Sequence, residues 1–163
     1  MVRAMRYIFG LGGIAAFAAA LLSAEPWPAA ADISTTGTSG IGPFTQSQVD
    51  NGRVAYNANC AGCHGYNLQN GTHRTPLIGQ PFIVGWGQRS TWEYYRYISY
   101  RMPNNAPNSL TPGTYTNIIA YILAANGAQP GSEIMTPETA VRIDTIADGI
   151  VREPVLAGNS QPQ

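Results

Sequence analysis

Cys60-Ala61-Gly62-Cys63-His64 constrains this chain more than any other stretch. Two thiols separated by two residues can each add to a vinyl group of one porphyrin, and the histidine that follows is placed to ligate the iron between them. The pattern C-x-x-C-H therefore reads as a c-type haem attachment site. Three other chemistries compete for the same residues. A dithiol redox motif requires alternating strands and helices, which the helical signals described below leave little room for. A structural zinc ion needs four ligands, and Cys60, Cys63, His64 and His73 are the set to consider. Adjacent Cys63 and His64 would strain to reach one tetrahedral ion, and no second knuckle follows. A plain Cys60–Cys63 disulfide would leave the aromatic-rich middle without a purpose. Because these are the only two cysteines, no disulfide framework is available.

Haem attachment by thioether takes place outside the cytoplasm, and the first residues fit export. Arg3 and Arg6 precede an apolar run from Tyr7 to Leu22, and Ala29-Ala30-Ala31 offers small residues for a signal peptidase. Cleavage is expected after Ala31, with Ala24 as the alternative. The run is shorter than the roughly 20 apolar residues that span a bilayer and is broken by Gly10, Gly12 and Gly13. The mature protein is thus expected in the periplasm with no membrane span. The 163 residues carry a formal net charge of zero, with every basic residue an arginine. Bulk charge therefore points neither to nucleic acid nor to an anionic membrane as partner. Its distribution is uneven: Arg53, Arg74, Arg89, Arg96 and Arg101 face one acid, Glu93, in the middle, whereas Glu133, Glu138, Asp144, Asp148 and Glu153 dominate the tail.

The chain divides into a signal peptide (1–31), a flexible Ser/Thr/Gly lead-in (32–43), one domain (44–130) and a C-terminal extension (131–163) with a short helix and a disordered end. A first helix starts at Thr45, whose spacing to Gln48 is that of a capping box, with Phe44 and Val49 able to staple across the start. It runs to about Asn59 and delivers Cys60 to the haem. Gly52 and Tyr56 share one of its faces, and a glycine there implies close approach of another backbone. Gly65 to Thr75 reads as a loop. Pro76 offers a carbonyl without an amide hydrogen, suited to accept a bond from the far nitrogen of His64 and so to orient its ring.

Ser90 and Glu93 cap a second helix, with Trp92, Tyr95 and Ile98 on its packing face, joined by Tyr94 and Tyr97. It stops at Met102-Pro103 because a residue before proline avoids helical geometry. Thr111 and Pro112 open a third helix, which Gly127 terminates. Its apolar stripe of Ile118, Ile119, Ile122 and Leu123 needs a partner, and the Gly52/Tyr56 face is the natural one. A short tail helix is expected from Thr136-Pro137, carrying Val141, Ile143 and Ile146 and wrapping the domain. For the sixth iron ligand, Met102 sits at a helix end where a thioether can turn inward. Met135 lies in the tail, and His73 would have to cross the porphyrin plane. Met102 is the choice, and a thioether raises the potential of the iron.

Gly52-Arg53-x-x-Tyr56, Cys60 to Gly65, Pro76-Leu77-x-Gly79, Arg101-Met102-Pro103 and Ala120-Tyr121-Ile122-Leu123 together resemble class I cytochrome c over about Phe44 to Gly127. Met102-Pro103 followed by Ala106-Pro107-x-Ser109-Leu110-Thr111, with Asn126-Gly127 and the Thr136-Pro137 tail, is similar to monohaem cytochromes associated with bacterial quinoprotein (PQQ) dehydrogenases. The resemblance implies an all-α class I cytochrome c fold, with about three main helices around one covalent haem c plus a short C-terminal helix. It implies that the first and last helices cross near Gly52 and Tyr56. Cys60 and Cys63 then hold the porphyrin, and His64 and Met102 are the axial ligands. Single electrons pass from a periplasmic dehydrogenase to a downstream oxidase or another cytochrome. The absence of lysine departs from the lysine-ringed mitochondrial type. No nucleophile-plus-base arrangement is present, so no catalysis beyond electron exchange is expected. Two other functions compete: a haem-bearing subunit of a larger dehydrogenase complex, and a gas-binding sensor with a weakly held sixth position.

Overall fold

The computed structural model describes residues 40–69, 71–72 and 75–152. The signal peptide, most of the lead-in, His73 and the end of the tail lie outside the described residues. Among the described residues there are five α-helices, one 3-10 turn and no strand. The helices are α1 (Gln46–Asn59), α2 (Ala61–His64), α3 (Gln80–Trp86), α4 (Thr91–Arg101) and α5 (Pro112–Ala125), and the turn is Ile143–Thr145. The fold is all-α among the described residues.

The three main helices start where their caps demand. Thr45 Oγ1 accepts the Gln48 amide at 3.2 Å while Gln48 Oε1 accepts the Thr45 amide at 3.3 Å, a complete capping box. At α4, the Ser90 hydroxyl accepts the Glu93 amide at 3.2 Å, and the Glu93 carboxylate accepts the Ser90 amide at 2.8 Å. Thr111 caps α5 through the Thr114 amide at 3.2 Å, and Pro112 occupies the first turn. Gly127, at φ 104°, turns the chain out of α5 in the left-handed region.

The core is built on the crossing of α1 and α5. A Cβ added to Gly52 would fall inside the backbone carbonyl of Asn117 and stand 2.9 Å from Tyr121 Cβ, so the helices touch backbone to backbone there. One turn on, the Tyr56 and Tyr121 rings lie 5.4 Å apart. α5 is buried almost all round, from Tyr115 to Ala125, rather than along one stripe.

Four expectations change. First, α3 forms where no helix was anticipated: Pro81 sits in its first turn and Phe82 is buried. Second, α4 buries Thr91, Tyr94 and Ile98, leaving Tyr95 half-buried and Trp92 and Tyr97 exposed at 40% and 45%. The tail sets this rotation, because the Thr91 hydroxyl donates to the Thr139 carbonyl at 2.6 Å and accepts the Val141 amide at 3.1 Å. Third, no helix starts at Thr136. The tail instead gives its backbone groups to the body of the protein, with Ile143 N bonded to Arg89 O and Asp144 N to Gly87 O, each at 2.9 Å. Groups committed outward cannot pair within a helix, and only the Ile143–Thr145 turn remains. Fourth, the end of the lead-in is held rather than loose: Gly42 N donates to Gln129 O at 2.7 Å, and Gly42 and Pro43 are buried. The tail does wrap the helices, with Met135, Ile143 and Ile146 buried. The amide and carbonyl of Met135 both bond the Gln48 side chain.

Candidate haem site

Cys60 ends α1 and Cys63 and His64 lie on α2, so the motif forms one tight bend between two short-range hydrogen bonds. Cys63 N and His64 N both donate to Cys60 O, at 3.1 and 2.9 Å. The neighbouring loop is fastened to this bend. The Tyr56 hydroxyl donates to Gly65 O at 2.8 Å, and Leu77 N donates to Leu68 O at 2.8 Å. Gly71 lies so close that a Cβ there would collide with the Cys63 carbonyl and the His64 backbone. Cys60 is half-buried against the core and Cys63 is exposed, and neither is in a disulfide. Burial, and then the neighbouring Cys63, push the Cys60 thiol up to about 12. Burial likewise raises the Tyr56 and Tyr94 hydroxyls, with Cys60 close enough to add to both shifts.

Met102 caps the C-terminus of α4 and is half-buried against the core. The Tyr115 hydroxyl, itself buried, donates to the Met102 carbonyl at 2.7 Å and ties this residue to α5. Met135, the other methionine of the described residues, is 3% exposed with its backbone bonded to Gln48, a packing residue of the tail. Pro76 is half-buried at the entrance to a corner, and Leu77 and Gly79 of that corner are clamped by Asn126. Asn126 is fully buried. Its Oδ1 accepts the Gly79 amide at 2.9 Å and its Nδ2 donates to Leu77 O at 2.9 Å and Ile122 O at 2.8 Å. Sequence reasoning quoted this residue only within a family pattern and gave it no role, although one amide in the apolar run Ile118–Ala128 is the kind of signal that marks a buried polar clamp.

Behind α4 the rings of Phe82, Tyr94, Trp86 and Tyr97 succeed one another at centroid separations of 5.5, 4.5 and 4.9 Å. Trp86 and Tyr97 thus pack together at the surface, whereas Trp92 stands outside with the Arg96 guanidinium 4.9 Å over its ring. No group of three or more His, Cys, Asp or Glu side chains among the described residues gathers as a metal site, and His73, the fourth residue of the zinc set, lies outside them.

Over residues 47–122 the chain matches the family described as "Cytochrome C oxidase, cbb3-type, subunit III". That stretch, from α1 into the last turn of α5, is similar to a c-type cytochrome domain. A domain of that kind supports haem-based electron transfer and implies redox partners. No curated protein and no solved structure matched the chain. A cytochrome c domain implies covalently bound haem c, and Cys60 and Cys63 occupy the C-x-x-C-H position for it. The donor set fits that group: two thiols outside any disulfide, on a bend whose next residue is an imidazole. No helix of the described residues is long and apolar enough to cross a membrane.

Proposed function

We propose that this protein is an exported monohaem cytochrome that carries single electrons from a periplasmic dehydrogenase to a downstream oxidase or cytochrome. The observation that carries the reading is the bend Cys60–His64, with both thiols outside a disulfide, inside the matched cytochrome stretch. Haem c supplies a one-electron couple. Cys60 and Cys63 would hold it by thioether bonds, His64 and Met102 would ligate its iron, and the protein itself transfers no group. Pro76 orients His64 through its carbonyl, and the Asn126 clamp on Leu77 and Gly79 keeps that corner in place. Tyr115 holds the backbone of Met102. Ligation of the iron by both His64 and Met102 would leave substrate and small gases no open site, which sets the carrier apart from a gas sensor.

The leader 1–31 directs export and is removed after Ala31; residues 44–130 form the cytochrome domain and 131–163 an extension strapped to it. The Met102–Thr111 and Asn126-Gly127 patterns favour a quinoprotein dehydrogenase as donor. A second reading has support of its own: the matched family is described as a subunit of an oxidase, which favours a haem-bearing subunit within a larger oxidoreductase.

The test is expression with export and haem-attachment machinery. The expected product starts at Asp32, is heavier by one haem, and shows a methionine–iron band in its oxidised near-infrared spectrum. A mature start near Met1 removes the export reading, and a Met102→Ala protein that keeps the band and the potential removes Met102 as ligand. Copurification with a large dehydrogenase or oxidase subunit selects the second reading over the free carrier.

A further inference from the structure

The outward face of α4 carries Arg96, Tyr97, Tyr100 and Arg101, with Arg89 just before the helix and Trp92 in its first turn. Together with Glu93 and Ser99 they line one shallow surface concavity. Tyr100 is 77% exposed, an unusual placement for an aromatic ring unless another surface covers it. The charges on this face are one-sided. Arg142 and Arg152, in the tail, are neutralised by Asp144 and Asp148. Arg89, Arg96 and Arg101 have no ion pair among the described residues. Two of them instead lie over indole rings, Arg89 over Trp86 at 5.3 Å and Arg96 over Trp92 at 4.9 Å, which holds the guanidinium groups outward and in place. Glu93, the one acid of the face, is committed to the Ser90 cap.

We infer that this arginine and aromatic face of α4 is where a redox partner docks, through a protein surface bearing carboxylates. Tryptophan, tyrosine and arginine are the side chains that contribute most at protein interfaces, and charge complementarity sets the rate and register of encounter. An exposed, ionised Glu93 among the arginines opposes a uniformly anionic sheet such as a lipid surface, whereas a protein can space its carboxylates to meet Arg89, Arg96 and Arg101 and avoid Glu93. The face ends at Arg101, one residue before Met102, so a partner seated on it meets the chain beside the proposed axial ligand. The inference rests on the electron-carrier reading above.

The test uses the haem-bearing protein on a gold electrode coated with a carboxylate-terminated monolayer. Arg96→Gln with Arg101→Gln should lower adsorption and interfacial electron-transfer rate about tenfold at low salt, with the difference vanishing at high salt. Gln129→Glu with Ser47→Glu removes the same net charge from other surfaces and should change neither. An unaltered thermal melt verifies that the arginine variant is folded. Equal adsorption and rate for both variants overturns the docking face while leaving the carrier reading intact. Absence of any haem redox wave, in every variant, removes the carrier reading instead. Tighter binding to phosphatidylglycerol vesicles than to the monolayer, lost with the same two arginines, assigns the face to lipid and overturns the protein partner.

Discussion

Asn126 joins three segments with one side chain: α5 through Ile122, and the Pro76 corner through Leu77 and Gly79. Asn126→Ala should cost about 2–4 kcal/mol in guanidinium unfolding, because the corner keeps its amide and carbonyl but loses their partner. Asn126→Asp is the sharper variant, since it keeps the Gly79 acceptor and turns a carboxylate toward two carbonyls. Its loss should be larger at neutral pH and partly recovered on acidification, when the carboxyl is protonated and can donate. The thiols give a second residue-scale prediction. With the Cys60 pKa pushed up to about 12, haem-free folded protein at pH 8 should alkylate at exposed Cys63 well before Cys60. The Cys60 rate should rise only as the pH approaches 12 or the chain unfolds, and equal rates at pH 8, read by mass spectrometry, would contradict the burial described. The C-x-x-C-H pattern is visible in the sequence because its chemistry is local. The protection of Cys60 is not, since it comes from burial against a core that only folding assembles.

At the scale of the element, helix ends were far more legible than helix faces. Caps are local contacts between residues three apart, so Thr45/Gln48, Ser90/Glu93 and Thr111 mark their helices directly. The inward face of α4 was not legible, because it is set by Thr139 and Val141, residues far along the chain that bind Thr91. The tail helix failed for the same reason: its amides found partners on the body of the protein. The Gly52 contact could be anticipated because a glycine at mid-helix needs a reason, and the α1/α5 crossing supplies it. Gly52→Ala should destabilise by about 3 kcal/mol, toward the upper end for overpacking, since the obstructing Asn117 carbonyl is backbone and cannot swing aside. Gly113→Ala, with open space around the position, serves as the comparison and should lose nothing measurable. Similar unfolding midpoints for the two variants would mean that the helices can part without cost.

For the molecule as a whole, the tail is part of the core rather than an appendage. Deleting everything after Pro130 removes buried Met135, Ile143 and Ile146, roughly 5–9 kcal/mol of apolar burial. It also strips Gln48 of both its partners. That loss is comparable with the whole stability of a small domain, so the haem-free truncated chain should show no cooperative melt, and a sharp transition near that of the full chain would refute the strap. The α1/α5 crossing has a temporal side as well. The surface that receives Gly52 and Tyr56 is made near the end of the domain, so during synthesis the first helix waits for its partner. Throughout that interval Cys60 lacks the cover that the finished core gives it. A chain stopped before Thr111 should therefore show Cys60 and Cys63 alkylating at the same rate, which makes the last helix the clock for modification of the first.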